Sequence, residues 1–129
     1  MSKQQGKIII GSGVNVWLHE LKTAEALAAA GYVIEFIRRS EEVRAKSADA
    51  LIDGMIWEMK SPTADNLHAL DRNLRRALHQ SNCIIIDSCR MKKVPDHAIE
   101  HELRKLAAEL RSLKRLKFVN RKRAVIDIK

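Results

Sequence analysis

The sequence predicts a mixed α/β fold of the α+β kind, in which a mixed central sheet is flanked by helices. Three observations lead to this fold class. Apolar residues recur at helical spacing in three segments, short apolar runs lie between those segments, and an Asp-Gly pair joins two of the runs. The chain has 129 residues and is 46% hydrophobic. A single domain over residues 1–129, with a modest core, is therefore expected.

The first part of the chain predicts two strands and one helix. Three isoleucines at residues 8–10 indicate a short strand, which ends at the glycine-containing turn 11–13. Residues 15–30 predict a helix, because five apolar side chains recur on one face. These side chains belong to Trp17, Leu21, Ala24, Leu27 and Ala28. Gly31 is placed to cap the end of this helix, and residues 32–37 predict the next strand.

A β-hairpin is predicted after the charged loop 38–46, with strands at 48–52 and 55–60. Asp53-Gly54 lies between the two apolar runs and favours a two-residue type I′ turn, which needs a positive φ at both positions. That turn sets the register of the two strands. The predicted cross-strand pairs are Ile52 with Met55, Leu51 with Ile56, Ala50 with Trp57, and Asp49 with Glu58.

The second part of the chain predicts two helices and three strands. A helix at 65–80, capped by Thr63 or Asp65, is followed by a buried strand at 82–87. A third helix is predicted from Pro95, and two strands at 116–120 and 124–128 flank a basic turn. The order α-β-β-β-α-β over 15–88 forms the predicted core, and 95–129 is an extension. The helical core stripes are Leu67, Leu70, Leu74, Ala77 and Leu78, then Ile99, Leu103, Leu106, Leu110 and Leu113.

The charge distribution favours a polyanionic partner. The net charge is +8, and residues 101–129 hold ten Lys and Arg against three acids. Such a basic region favours nucleic acid, and the alternative is a solvated basic surface. No apolar run approaches the ~20 residues of a membrane span, and the N-terminus does not resemble a secretory signal. Cys83 and Cys89 match no common zinc spacing, so reduced thiols are expected.

The hairpin brings together the candidate catalytic residues. If Asp49 faces Glu58, the two carboxylates repel each other unless a divalent cation lies between them. Oxygen ligands suit Mg²⁺ or Mn²⁺. Lys60 shares a strand face with Glu58, and there it would stabilise charge on a phosphate or orient the attacking water. The alternative is an exposed face with alternating charge and a surface ion pair.

Four further groups of residues are weighed in the same way. Glu20 lies within the apolar stripe of the first helix, where a carboxylate is costly unless it is paired or bound to a metal; alternatively, it favours the helix dipole. Asp53 is most simply the turn residue. Trp57 and Met59 are expected to pack behind the site. Candidate nucleic-acid contacts, with a solvated face as the alternative, are Arg72, Arg75, Arg76, Gln80, Arg121, Lys122 and Arg123, beside His68 and His79.

The element order and the acids of the hairpin resemble the PD-(D/E)xK nuclease superfamily. Ala48-Asp49 stands where that superfamily has Pro-Asp, and Glu58-Met59-Lys60 matches its Glu-x-Lys. The resemblance implies that Asp49, Glu58 and a glutamate on the first helix, here Glu20, form an acidic cluster that binds the metal. Alanine for proline at position 48 should matter little, because proline there only shapes the entry to the strand.

A longer pattern resembles the C-terminal tRNase domains of contact-dependent growth inhibition toxins and related polymorphic toxins. It consists of His19-Glu20, Gly31-Tyr32, Ala48-Asp49, Asp53-Gly54, Trp57-Glu58-Met59-Lys60-Ser61 and Gln80-Ser81. The resemblance implies a metal-dependent endonuclease that cuts tRNA in the target-cell cytoplasm. It also implies delivery within a larger secreted toxin and an acidic immunity protein as partner. The alternatives are a DNA endonuclease or resolvase of the same superfamily, and a non-catalytic basic nucleic-acid-binding module.

Overall fold

The computed structural model describes residues 5–38 and 49–129. Its contacts divide the chain into two compact units, Met1–Trp57 and Glu58–Lys129. Both units combine strands with helices, and parallel and antiparallel strand pairs both occur, so the predicted mixed α+β class is confirmed. The prediction of a single domain stays a prediction. None of the helices in the described ranges is long and apolar enough to cross a membrane.

The first unit contains β1 (Lys7–Ile10), α1 (Leu18–Ala29), β2 (Val33–Ile37), β3 (Asp49–Ile52) and the first three residues of β4 (Met55–Lys60). Strands β1 and β2 run parallel, with α1 as the crossover that packs on both. Strand β3 pairs antiparallel with β2 and with the start of β4. The order of elements is therefore the predicted one. The predicted loop 38–46 and residue Ala48 lie almost wholly outside the described residues.

The end of α1 shows why Gly31 follows it. Gly31 has φ = 101°, its N–H donates to the Ala28 carbonyl, and the Tyr32 N–H donates to the Leu27 carbonyl. These two bonds form a Schellman motif, which needs a left-handed residue after the helix. The helix buries Ala24 and Leu27 completely and leaves Ala28 only 7% exposed, as the stripe predicted.

The predicted burial of Trp17 is wrong. Trp17 is 49% exposed and precedes the helix in an extended conformation, with φ = −74° and ψ = 151°. Because helical geometry begins only at Leu18, the 3.6-residue spacing does not carry the Trp17 side chain onto the buried face. Its ring instead meets the edge of the His19 ring, with centroids 5.6 Å apart.

The second unit contains the last three residues of β4, then α2 (His68–Ala77), β5 (Cys83–Asp87), α3 (Asp96–Glu109), β6 (Arg115–Val119) and β7 (Val125–Asp127). Strands β4, β5 and β6 run parallel in that order, connected through α2 and α3. Strand β7 returns antiparallel to β6. The carboxyl ends of three parallel strands therefore lie at one edge, the usual position of ligand sites in such sheets.

The core of the second unit confirms both predicted helical stripes. On α2, Leu70, Leu74 and Ala77 are inaccessible to solvent, and Leu67 and Leu78 pack at the margin. All five predicted positions from Ile99 to Leu113 are buried. They pack with β5 and β6, whose side chains complete the cluster. The strand residues concerned are Ile84, Ile86, Leu116 and Phe118.

The bounds of all three helices differ from the prediction, and α1 covers Leu18–Ala29 and not 15–30. Helix α2 covers His68–Ala77 and not 65–80, and Asn66 Oδ1 accepts the Ala69 N–H at 3.1 Å. Asn66 thus performs the capping that was assigned to Thr63 or Asp65, because it stands three residues before an amide left without a helical partner. Pro95 is the N-cap of α3, one position before the expected first turn.

Candidate functional site

The hairpin turn has the predicted geometry. Asp53 has φ = 52° and Gly54 has φ = 78°, so both central residues are left-handed as a type I′ turn requires. The register is also confirmed, with Ile52 opposite Met55, Leu51 opposite Ile56, and Ala50 opposite Trp57. The Trp57 side chain is 5% exposed, as expected for a residue that packs behind the strand, whereas Met59 is half-buried.

The three residues of the proposed hairpin centre lie on strands in the two units. Asp49 begins β3 in the first unit, half-buried, with its Cα opposite that of Ile37 on β2. Glu58 and Lys60 are half-buried on β4 in the second unit. Side chains two apart on a strand share a face, so Glu58 and Lys60 point the same way. The facing of Asp49 and Glu58 stays a prediction.

Glu20 has a structural role that its sequence position also allowed. It is 8% exposed, and its Oε1 accepts a hydrogen bond from the Trp17 backbone N–H at 3.0 Å. Glu20 is the third helical residue, so this contact forms the N3 side of a capping box. The observed bond accounts for part of what a buried carboxylate needs, without a metal. A role for Glu20 in catalysis stays a prediction.

A metal centre is not visible as a ready-made cluster. Within residues 5–38 and 49–129, no three His, Cys, Asp or Glu side chains are grouped so that they would hold a metal ion. The candidate donors Asp49 and Glu58 supply only carboxylate oxygens. That chemistry suits Mg²⁺, which commonly takes one or two carboxylates and keeps several waters. It does not suit zinc, which prefers sulfur and nitrogen ligands.

The arginines of α2 do not share one environment. Arg75 Nε donates to Asp71 Oδ1 at 2.7 Å, one helical turn away. Arg72 and Arg76 line a cavity of about 430 Å³ with Ser61, Asn73 and Arg90. Gln80, the last residue predicted from this segment, is exposed beyond the end of α2, where its N–H donates to the Ala77 carbonyl.

The basic turn between β6 and β7 is largely engaged within the protein. Arg123 donates through Nη1 and Nη2 to the two carboxylate oxygens of Asp87, at 2.9 Å each. Arg121 contacts Asp96 and donates to the Met91 carbonyl. Lys122 is exposed. Of the three predicted nucleic-acid contacts here, Lys122 is the one that points its charge to solvent without a bond in the described structure.

Asp87 is a buried acid at the carboxyl end of β5 that was not predicted as a functional residue from the sequence. Its side chain is 1% exposed, and besides Arg123 it accepts the Cys89 N–H at 2.9 Å. The hydrogen bond to Asp87 raises the pKa of Arg123 above its ordinary value and outweighs the opposing effect of burial. The signal was available, because an acid that ends a fully apolar strand must find a partner.

Two other residues of this edge, Ser61 and Arg90, had no role assigned from the sequence. Ser61 follows β4 and is buried, and Arg90 follows β5. Arg90 donates to the Ser61 carbonyl from Nε at 3.1 Å and from Nη2 at 2.5 Å. Both residues lie just beyond the carboxyl ends of neighbouring parallel strands. That position is apparent only once the strands are known to be parallel neighbours.

Comparison with solved structures shows that this fold occurs in a bacterial toxin. A structure described as a CdiA-CT/CdiI toxin and immunity complex from Burkholderia pseudomallei matches with a TM-score of 0.70 and 17% sequence identity. The match covers 96% of this chain and 99% of that chain. At that identity the likeness shows the fold alone. A search of curated proteins found no match.

The family is shown by the sequence itself. The family described as "Contact-dependent growth inhibition CdiA C-terminal domain" matches residues 46–125, more than half of the chain. The chain therefore belongs to this family and is an effector toxin domain of contact-dependent growth inhibition. The match begins just before β3 and includes the hairpin, α2, β5, α3 and β6.

Proposed function

We propose that this domain is a metal-dependent endonuclease of the PD-(D/E)xK type that cleaves tRNA. The hairpin carries the proposal. The turn is of the predicted type, and the predicted strand pairing is observed as far as Ala50 opposite Trp57. The prediction that Asp49 faces Glu58 was made from this turn and this pairing. The α-β-β-β-α-β order agrees with that superfamily, and the family to which the chain belongs consists of growth-inhibition effectors.

Each residue of the proposed centre has a distinct task. Asp49 and Glu58 hold the metal, and Glu20 is the third acid that the superfamily resemblance implies. Lys60, on the same face of β4 as Glu58, places its ammonium group where it stabilises negative charge on the phosphate or orients the attacking water. A bound Mg²⁺ or Mn²⁺ would supply an activated water and neutralise charge on the phosphate.

The second unit provides the substrate surface. Residues 58–129 hold 17 Lys and Arg against nine Asp and Glu, which gives this unit the whole net charge of +8. Phosphate contacts dominate the affinity of proteins for nucleic acids and orient the substrate without reading its sequence. The choice of tRNA rests on the resemblance to contact-dependent growth inhibition tRNases.

The decisive experiment compares the purified chain with its Lys60→Met variant on total bacterial tRNA and on duplex DNA, each with Mg²⁺ or EDTA. We expect discrete tRNA fragments that require both Mg²⁺ and Lys60, while the variant still binds tRNA. Cut DNA with intact tRNA would keep the centre and replace the substrate by DNA. Undiminished cutting by Lys60→Met would reject the catalytic assignment, and binding without any cutting would favour a non-catalytic module.

The biological setting follows the same proposal. The similar Burkholderia structure is a complex of a toxin with its immunity protein, so we propose an acidic cognate immunity protein for this chain also. Membership of the CdiA C-terminal family supports delivery as part of a larger secreted toxin. The site of action is then the cytoplasm of the target cell, where tRNA is found.

A further inference from the structure

The second unit contains an arginine-lined cavity at the carboxyl end of β4. Its volume is about 430 Å³, and its walls come from the segment after β4, from α2 and from the segment after β5. Arg72 and Arg76 enter from α2, and Arg90 enters from beyond β5. Lys60 immediately precedes the lining residue Ser61, so the cavity adjoins the last residue of the proposed catalytic strand.

The charge of this cavity is uncompensated. Three arginines line it, and no Asp or Glu does so among the residues that the structure describes. Arg72 and Arg76 are exposed and stand four residues apart on α2, where like charges repel. Within the same described part of the chain, neither forms an ion pair. Their neighbour Arg75, outside the cavity, has Asp71 as its partner. In the described part of the chain, α2 thus provides an acidic partner for the arginine outside the cavity and none for the two that line it.

Arg90 is held in place by hydrogen bonds to Ser61. Its Nε and Nη2 bond to the Ser61 carbonyl, and its Nε also lies 3.3 Å from Ser61 Oγ. These bonds fix the plane of the guanidinium, which lowers the conformational entropy lost when a ligand binds. Asn73 is fixed as well, because its Nδ2 donates to the Ala69 carbonyl at 2.7 Å.

We infer that this cavity binds a backbone phosphate of the nucleic-acid substrate. Guanidinium groups match the oxygens of a phosphodiester in paired, charge-assisted hydrogen bonds. Binding one or more phosphates would also offset the repulsion among the three arginines. The identity of the polyanion rests on the proposed nuclease function, whereas the existence of an anion site rests on the cavity alone. In this proposal Arg72, Arg76 and Arg90 bind the substrate, whereas Arg75 does not.

The test measures binding without cleavage. A fluorescein-labelled tRNA and a labelled DNA duplex are titrated with the Lys60→Met chain in EDTA, at several salt concentrations. A second variant adds Arg72→Gln and Arg76→Gln to the Lys60→Met chain and is titrated in the same way. A control pair, Arg111→Gln with Arg115→Gln, removes the same charge from exposed positions of the second unit. All four arginines are exposed, so neither pair of substitutions removes core packing.

We expect the cavity pair to weaken binding of both probes about tenfold at ~100 mM salt and to lower the salt slope by roughly 1.5, as the loss of two phosphate contacts predicts. The control pair should change affinity less than threefold. Equal losses in the two pairs, or no binding by the Lys60→Met chain, would overturn the phosphate site. This binding assay needs no cleavage. If the unsubstituted chain binds through the cavity but cuts neither tRNA nor DNA, the nuclease proposal is refuted and the phosphate site is retained.

Discussion

Asp87 and Arg123 form the most buried ion pair of the second unit. The Asp87 side chain is 1% exposed and accepts hydrogen bonds from both Nη groups of Arg123. The backbone of Arg123 is in the left-handed region, with φ = 65°. A buried charge that loses its partner is strongly destabilising. The turn 121–123, which the sequence marked as a nucleic-acid contact, therefore acts in large part as a clamp between β5 and the β6–β7 connection.

Replacing Arg123 by Ala should lower the free energy of unfolding by about 3 kcal/mol, because it leaves the Asp87 carboxylate buried without its cation. Urea unfolding followed by circular dichroism measures this loss. Lys122→Ala, at an exposed neighbouring position, is the control and should stay within about 0.5 kcal/mol of the original chain. Equal stability of the two variants would show that the ion pair contributes nothing.

Glu20 offers a test that separates capping from catalysis. Glu20→Ala should cost about 1 kcal/mol of stability, because the Trp17 N–H loses its acceptor. Glu20→Gln should cost less, since glutamine serves equally at the third position of a capping box. Thermal unfolding and tRNA cleavage are measured on both variants. Loss of cleavage in a stable Glu20→Gln chain would place Glu20 in the acidic cluster, and full cleavage would restrict it to the helix cap.

At the scale of elements, the hairpin shows how local chemistry determines a register. Asp53 and Gly54 both have left-handed backbone conformations, and the turn that they form sets the register in which Ala50 faces Trp57. Helix α2 shows the opposite case. Its apolar stripe was predicted correctly, but its polar face divides into a paired arginine and two that line a cavity. Spacing alone assigns all of them to one polar face.

Gly54→Ala should destabilise the first unit by roughly 1 kcal/mol or more, because a Cβ is unfavourable at φ = 78°. The same change should reduce cleavage, since the register of the hairpin places the proposed ligands. The control is Asp53→Asn, which keeps a residue suited to φ = 52° and should preserve stability. Urea unfolding of both variants gives the comparison, and an unaffected Gly54→Ala chain would show that the turn does not constrain the hairpin.

At the scale of the whole molecule, the charge is divided unequally between the two units. Residues 1–57 hold seven Lys and Arg against seven Asp and Glu, so this unit is neutral, while residues 58–129 carry +8. A net charge of this kind steers association with polyanions and acidic proteins. Under the proposed function, one basic surface would serve both a nucleic-acid substrate and an acidic immunity protein.

An acidic immunity protein that covers the second unit should compete with tRNA. We expect the cognate immunity protein to block tRNA binding by the Lys60→Met chain. Its association rate should fall at least tenfold between ~50 and ~500 mM salt, because screening shortens the range of attraction. Stopped-flow fluorescence measures the rate. An inhibitor whose association does not depend on salt, or that binds together with tRNA, would show that it uses another surface.

The sequence by itself determined the features that depend on near neighbours in the chain. Local periodicity and backbone conformation account for the helical stripes, the Asp-Gly turn and the order of elements. They also account for the hairpin register in which Ala50 is opposite Trp57. It also gave the candidate acids Asp49 and Glu58, because their predicted opposition is a consequence of that register. The helix ends were less exact, since Asn66 and the extended Trp17 decide them through single hydrogen bonds and dihedral angles.

Only the tertiary structure decided which polar and charged side chains make contacts between residues distant in the chain. Asp87 and Arg123 are 36 residues apart, and Ser61 and Arg90 are 29 apart, so no local pattern predicts either contact. Both contacts exist because β4, β5 and β6 run parallel and bring their following segments to one edge. The same arrangement forms the walls of the arginine cavity. The contacts at this edge depend on long-range packing. That packing is determined by the whole sequence, so it leaves no pattern at any single residue spacing.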